Sequence, residues 1–272
     1  MNKITFPGIG LELNISEIML SIGNVNIYWY GFFIVLAFIL GLLVIKKYSK
    51  SYSISFENIL ELFIIILVSA IVGARLYYVL FNLDYYLKNL NEIFMINSGG
   101  LAIYGGIILS TISIFFYSKI KKINFVKLLD LLVLALPLGQ AIGRWGNFFN
   151  VEAYGSITSN IFRMGIIENG KTIYVHPTFL YEFVGCLCLF FILIYNNKNK
   201  KFNGQNVTIY LMLYGLIRFF IEGLRQDSLM FMEVRVSQVL SLVLFMIFTI
   251  VYVTNLKKQT NKDKDFLSEK KY

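Results

Sequence analysis

The sequence predicts an all-α integral membrane protein of about seven transmembrane helices, with its N-terminus outside and its C-terminus cytoplasmic. Three observations predict it: an apolar, aromatic composition, apolar windows of bilayer-spanning length from end to end, and lysines concentrated in alternate connections, with only Lys3, Lys88 and Lys171 on the other side. Hydrophobic residues fill 57% of the 272 positions and charged residues only 15%. A soluble globular chain carries about 25% charged residues, so this composition belongs to a chain solvated by lipid.

Crossing the hydrocarbon core takes about 20 mostly apolar residues in a helix. Such windows fall at approximately 27–45, 58–81, 100–118, 126–149, 179–195, 207–224 and 236–254. The first lies too far in, and lacks the basic front and small-residue exit of a cleavable signal. Lys46, Lys47 and Lys50 follow the first window, Lys119, Lys121, Lys122 and Lys127 the third, and Lys198, Lys200 and Lys201 the fifth. The end of the chain adds Lys257, Lys258, Lys262, Lys264, Lys270 and Lys271. Positive connections stay in the cytoplasm, which fixes the expected orientation. The net charge of +9 then expresses topology and contact with anionic inner-leaflet lipid, and does not point to nucleic acid. Residues 1–256 read as one polytopic membrane domain, and 257–272, polar and aperiodic, as a basic disordered cytoplasmic tail. Cys186 and Cys188 lie two apart in an apolar window, on different helix faces, and read as packing residues. With a single histidine besides, no metal is expected.

Lysine and arginine are divided. Every basic residue assigned to the cytoplasmic side is Lys, whereas Arg75, Arg144, Arg163, Arg218, Arg225 and Arg235 all fall in windows or outer connections. A flexible Lys suffices for topology, while the planar Arg fork suits a phosphate or carboxylate. With the orientation set, Arg75, Arg144, Arg218, Tyr104, Glu182 and the Tyr28–Trp29–Tyr30 run share one depth near the outer face. Glu61 and Asp130 begin windows at the inner face, where a carboxylate complements a helix N-terminus. A charge facing lipid costs at least ~2.5 kcal/mol, so such residues face protein or a wet cavity. The arginines could pair with Glu152, Glu182 and Glu222 and lock helices together. For Arg144, Arg218 and Arg225 the stronger reading is an anion site, because basic groups outnumber plausible partners and a phosphate would balance them. For Arg75 the two readings weigh equally.

Four motifs lie at that depth. Gly143 to Gly155 closes the fourth window and holds Arg144 and Asn147 three apart on one helix face, then Glu152 past the expected helix end, placed to fold back toward Arg144. Gly143, Gly146 and Gly155 allow close backbone approach. In the sixth window Arg218, Glu222 and Arg225, at i, i+4 and i+7, form one stripe. His176 precedes a helix opened by Pro177, with Tyr181 and Glu182 in its first turns. Tyr104 stands between the pairs Gly99-Gly100 and Gly105-Gly106 as a candidate site wall, although such pairs also serve plain helix packing.

These segments, GRWGNFFNVEAYG, HPTFLYE, RFFIEGLRQD, GGLAIYGG and the WYG at 29–31, resemble in order and layout the bacterial prolipoprotein diacylglyceryl transferases. The resemblance implies transfer of a diacylglyceryl group from phosphatidylglycerol to the lipobox cysteine thiol of a preprolipoprotein signal peptide, giving a thioether and glycerol phosphate. It implies no cofactor, and a place in the bacterial inner (cytoplasmic) membrane with the site toward the outer leaflet. The catalytic residues expected are Arg144, Arg218, Tyr104, Glu152 and His176. Expected at the substrates are Arg144, Asn147, Gly155, Tyr181, Glu222, Arg225, Tyr30 and Arg75. Many members carry His where this chain has Tyr104; a phenol is a much weaker base than an imidazole at neutral pH, so Tyr104 reads as a hydrogen-bonding or proton-relay residue. The chemistry fits the residues, since a thiol attack on a glyceryl carbon needs a stabilised phosphate leaving group, and an arginine clamp supplies it. The alternative is a protein that binds or transports anionic phospholipid without breaking a bond. A seven-helix photoreceptor is excluded, because the last window has no lysine for a Schiff base.

Overall fold

The computed structural model describes residues 2–96, 99–226, 230–232 and 234–269, apart from the side chains of Phe231 and 262–269. Among these, seven helical segments are long and apolar enough to cross a membrane: Trp29–Tyr52, Phe56–Phe81, Ile103–Ile120, Phe125–Phe149, Thr178–Lys198, Gln205–Leu224 and Val236–Asn261. Each overlaps a window read from the sequence. The chain divides into two compact units, one of Met1–Ile45 with Asp130–Tyr272 and one of Lys46–Leu129.

The larger unit opens with four strands, β1 (Asn2–Phe6), β2 (Leu11–Ile15), β3 (Ile18–Ile22) and β4 (Val25–Tyr28), ahead of α1 (Trp29–Ser49). The smaller unit contains α2 (Phe56–Phe81), the short α3 (Leu83–Tyr86) and α4 (Ile103–Ile120). The fourth crossing is α5 (Phe125–Leu132) followed by α6 (Leu136–Phe149), and the hairpin β5 (Met164–Glu168) and β6 (Lys171–Val175) leads to α7 (Thr178–Lys198). Then come α8 (Gln205–Leu224), the short β7 (Met230–Phe231) and β8 (Val234–Arg235), and α9 (Val236–Glu269).

Three features differ from the sequence reading. The fourth window is not one helix: residues 133–135 form a turn between α5 and α6. Pro137, in the first turn of α6, explains the break, since it lacks an N–H and its ring would clash with the carbonyl of Val133 in a continuous helix. The stretch after 257 continues α9 as helix to Glu269, where a disordered tail was expected. The apolar part of α9 has already nucleated the helix, and each added residue then gains one hydrogen bond. The third feature is β structure at one end of the helices of the larger unit. An antiparallel sheet in the order β2-β1-β5-β6 pairs Thr5 with Gly165, far apart in the sequence. Its buried face, Ile4, Ile15, Met164, Ile166 and Val175, packs on Phe148 and Phe179, so the sheet rests on the end of α6 and the start of α7.

At the other end of these helices the fully buried Asp130 accepts hydrogen bonds from the backbone N–H groups of Gly204 (2.7 Å) and Val207 (3.1 Å) and from Lys200 Nζ (3.2 Å). Its carboxylate therefore caps α8, not its own helix, and fixes the height of the helix that carries Arg218 and Glu222.

In the smaller unit α2 and α4 pack through glycine. A Cβ on Gly73 would run into the carbonyl oxygen of Gly105, and one on Gly105 into that of Gly73. Ser69 and Ser113 share a hydrogen bond of 2.7 Å across the same seam. Glu61, expected to complement a helix N-terminus, accepts from Tyr117 (3.0 Å) and pairs with Lys121 (2.7 Å).

Candidate active site

The end of α6 is built by its backbone. Val151 N–H bonds Phe148 O at 3.1 Å and Glu152 N–H bonds Asn147 O at 3.0 Å. This pair of bonds closes a helix through one left-handed residue, a place usually given to glycine. Here Val151 takes it, at φ 52°, and Ala153 is left-handed as well, at φ 56°. A β-branched residue is a genuine outlier in that region, and a strained backbone of this kind costs about 1–3 kcal/mol. The same closure brings the side chains of positions 147 and 152 together, and Asn147 Nδ2 donates to Glu152 Oε1 at 2.7 Å. On the other side Asn147 Oδ1 accepts from Arg144 at 2.9 Å. Glu152 does fold back toward Arg144, through Asn147.

Three helices meet at Glu182. This almost fully buried carboxylate on α7 pairs through Oε1 with Arg144 of α6 at 3.0 Å and through Oε2 with Arg218 of α8 at 3.1 Å. Arg218 also pairs with the buried Glu222 one turn on. Tyr214, one turn before Arg218, donates to Glu182 Oε1 at 3.3 Å. At the centre the guanidiniums of Arg144 and Arg218 are thus matched by two buried carboxylates, Glu182 and Glu222. Burying the latter is tolerable because each is ion-paired and hydrogen-bonded. Glu182 was anticipated only as one possible counter-ion and Tyr214 not at all, although its position four before Arg218 on the same stripe was a usable signal.

The signature segments are joined at Gly155. Its N–H donates to His176 O (2.9 Å), His176 N–H donates to Ser156 O (3.1 Å), and Ser156 N–H donates to Leu224 O (2.7 Å). Gly155 is also bridged to Arg225 in antiparallel fashion. A Cβ on Gly155 would lie 2.7 Å from His176 Cβ and 3.0 Å from Leu224 O. The glycine read as a substrate contact is therefore the point where three distant segments pass within backbone distance. Thr178 Oγ1 adds a hydrogen bond to Ala153 O. The His176 ring meets Tyr181, Nδ1 to hydroxyl at 3.3 Å. Arg225, at the end of α8, is half-buried, and Asp227, which ends its motif, lies outside the described residues. Arg235 closes the same helix end by donating to Glu222 O at 2.7 Å and to Gly223 O.

Tyr30 lies over Gly146, whose Cβ would meet the ring at 2.7 Å, and Trp29 stacks on Phe149 with centroids 4.6 Å apart. The aromatic start of α1 is thereby fastened to the site helix.

Arg75 and Tyr104 belong to the smaller unit. Arg75 is buried and donates to four backbone carbonyls: Glu92 (2.5 Å), Ile93 (2.8 Å), Gly99 (2.8 Å) and Gly100 (3.0 Å). Its guanidinium also lies 5.2 Å from the Tyr86 ring. The geometry gives it the holding of a connection, in place of the substrate contact or carboxylate pair expected. Gly99 and Gly100, at φ 86° and 73°, make the turn that presents their carbonyls. In the same connection Glu92 accepts from the exposed Tyr85 hydroxyl at 2.7 Å and raises its pKa. Tyr104 is the second residue of α4 and is 38% exposed, while Gly105 next to it makes the α2 seam.

A family model described as prolipoprotein diacylglyceryl transferase matches residues 17–254. Among curated relatives, a protein of Finegoldia magna is 48% identical over 247 residues, covering 90% of this chain and 98% of its own length. One of Clostridioides difficile is 42% identical over 245 residues (90% and 97%), and one of Clostridium novyi 42% identical over 267 residues (96% and 98%). All three carry the name phosphatidylglycerol--prolipoprotein diacylglyceryl transferase.

Proposed function

The chain belongs to the prolipoprotein diacylglyceryl transferase family, and from that membership we propose that the assembly of Arg144, Glu182, Arg218 and Glu222 is the centre of its reaction. It is a multi-pass membrane transferase with phosphatidylglycerol as donor and a prolipoprotein as acceptor.

In the finer reading the acceptor atom is the sulfur of the lipobox cysteine at the end of the signal peptide. The sulfur attacks the glyceryl carbon that bears the phosphate. A C–S bond forms as the C–O bond breaks, the thiol proton passes to a base, and glycerol phosphate leaves with the C–O electron pair. Charge rises on the departing phosphate, and fixed donors aimed at it lower the barrier. The observation that carries the assignment is the single Glu182 carboxylate holding both Arg144 and Arg218. A guanidinium carries five N–H groups, more than the two side-chain contacts that each of these makes occupy. The carboxylates orient the forks, and the remaining N–H groups are offered to the phosphate, with Arg225 and Asn147 at the margin. A thiol ionises near about 8.5, so a modest base suffices. Glu152, exposed and with one oxygen steadied by Asn147, is assigned the proton; His176 and Tyr181 border the acceptor. Tyr104 retains the proposed part of a hydrogen-bonding or relay residue, for which Tyr104→Phe is the test.

The same reading sets the site at the outer leaflet of the bacterial inner membrane, with the N-terminus outside. A phospholipid headgroup and a signal peptide emerging from export meet at that depth.

The test uses the purified protein in vesicles of phosphatidylcholine and phosphatidylglycerol, with a lipobox peptide carrying Cys or Ser. Glycerol phosphate should appear one for one with lipidated peptide, and only with Cys. Movement of phosphatidylglycerol between leaflets with no such release would replace the enzyme by a lipid-binding or transport protein.

A further inference from the structure

The hairpin of β3 and β4 stands apart from the sheet, paired only with itself among the described residues. Ile22 pairs with Val25 and Leu20 with Ile27 around a two-residue turn at Gly23, whose φ of 58° such turns favour. Its apolar side chains are bare: Leu20 is 50% exposed, Ile22 62% and Val25 65%, with Met19, Ile27 and Tyr28 at 40–47%. A lone two-stranded hairpin is marginal in water, and a bare apolar one invites aggregation. Something other than water covers it.

Its attachment names the cover. β4 ends at Tyr28 and α1 begins at Trp29, with no residue between. Trp29 N–H bonds Glu17 O at 3.0 Å and ties the root of the hairpin to the helix. The root therefore sits where an apolar span begins, at the level of Tyr28, Trp29 and Tyr30, and aromatic side chains of this kind collect at the membrane–water boundary. The hydrocarbon core is excluded, because the outer edges of both strands carry N–H and C=O groups that lipid tails cannot satisfy. The Ser21–Asn26 hydrogen bond of 2.8 Å across the strands likewise keeps polar groups on the hairpin. Only the headgroup and glycerol layer accepts both the apolar side chains and the open backbone edges.

We propose that the β3–β4 hairpin lies in the headgroup layer of the leaflet at the start of α1, and that its partner is the phospholipid surface itself. Through Trp29 on Phe149 and Tyr30 on Gly146, the hairpin is mechanically continuous with α6. It thereby sets the depth at which that helix presents Arg144 to lipid phosphates. This last step rests on the proposed site; the location of the hairpin does not.

The experiment places a spin label at Leu20→Cys, Val25→Cys and, for reference, Lys171→Cys at the start of β6, each in the full chain with Cys188→Ala. The proteins are reconstituted in vesicles of phosphatidylcholine and phosphatidylglycerol. Labels at 20 and 25 should be reached by oxygen and shielded from a water-soluble nickel chelate, with the opposite order at 171. Chelate access at 20 and 25 equal to that at 171 would put the hairpin in water and overturn the proposal. Shielding from both reagents, with a disulfide between the position-25 cysteines of two chains, would give the surface to a second copy and overturn it too. Transferase activity enters neither outcome, so failure here is distinct from failure of the proposed reaction.

Discussion

Asn147 donates to Glu152 at 2.7 Å across a helix end whose left-handed position is held by Val151. The usual side-chain contact at such an end is hydrophobic; here it is polar and it faces the site. Val151→Gly and Val151→Ala both remove the packing of the isopropyl group, but only glycine relieves the positive φ. The glycine variant should be the more stable of the two by about 1 kcal/mol. Thermal unfolding of the two in one detergent checks this, and equal midpoints would show that the turn stores no strain.

The glycines of the signature segment should separate cleanly. Nothing lies within 4 Å of a Cβ on Gly143, whereas one on Gly155 meets His176 at 2.7 Å. Gly143→Ala should therefore hold or gain up to about 1 kcal/mol from helix propensity. Gly155→Ala should lose about 1–3 kcal/mol as the backbones are forced apart, with lowered transfer to lipobox peptide. Comparable stability for the two would contradict the junction at Gly155.

Glu182 is predicted to be coupled to both arginines. Glu182→Gln leaves the forks of Arg144 and Arg218 without their shared anchor, and a misplacement of about 1 Å can cost 10²-fold in rate. kcat/KM should fall by about that factor. In a double-mutant cycle with Arg144→Gln the two changes should be non-additive by about 0.5–3 kcal/mol. Additive losses would mean that the ion pair does not orient the catalytic group.

How far the sequence carried follows from which forces act locally. The spans were legible because lipid demands long apolar runs, and the pairings of Arg144 with Asn147 and of Arg218 with Glu222 because three- and four-residue spacings place side chains on one helix face. The break before Pro137 was passed over because hydropathy is blind to dihedral angles and residues 131–136 are all apolar, although the proline itself is a break signal. The four-stranded sheet was hidden for another reason: Thr5 and Gly165 pair across a long stretch of chain, and no local pattern encodes that. Glu182 could be placed at the right depth, but its bridging of two other helices is a tertiary fact. The partners of Arg75 were not legible because they are backbone carbonyls, which every sequence offers everywhere.

Arg75 offers the test of that last point. Its fork reaches four carbonyls in two segments, Glu92–Ile93 and Gly99–Gly100, and an ammonium, with three donors on one atom, cannot span them. Arg75→Lys keeps the charge but should leave buried carbonyls unpaired, each at a cost of about 1–3 kcal/mol. The expected result is faster amide hydrogen exchange through residues 87–102, including the Ala102 N–H that bonds Ala74 O at 3.0 Å just ahead of Tyr104. Exchange in α2 below Arg75 should hardly change. If the lysine variant protects residues 87–102 as well as arginine does, charge alone is enough and the fork is not what holds this connection.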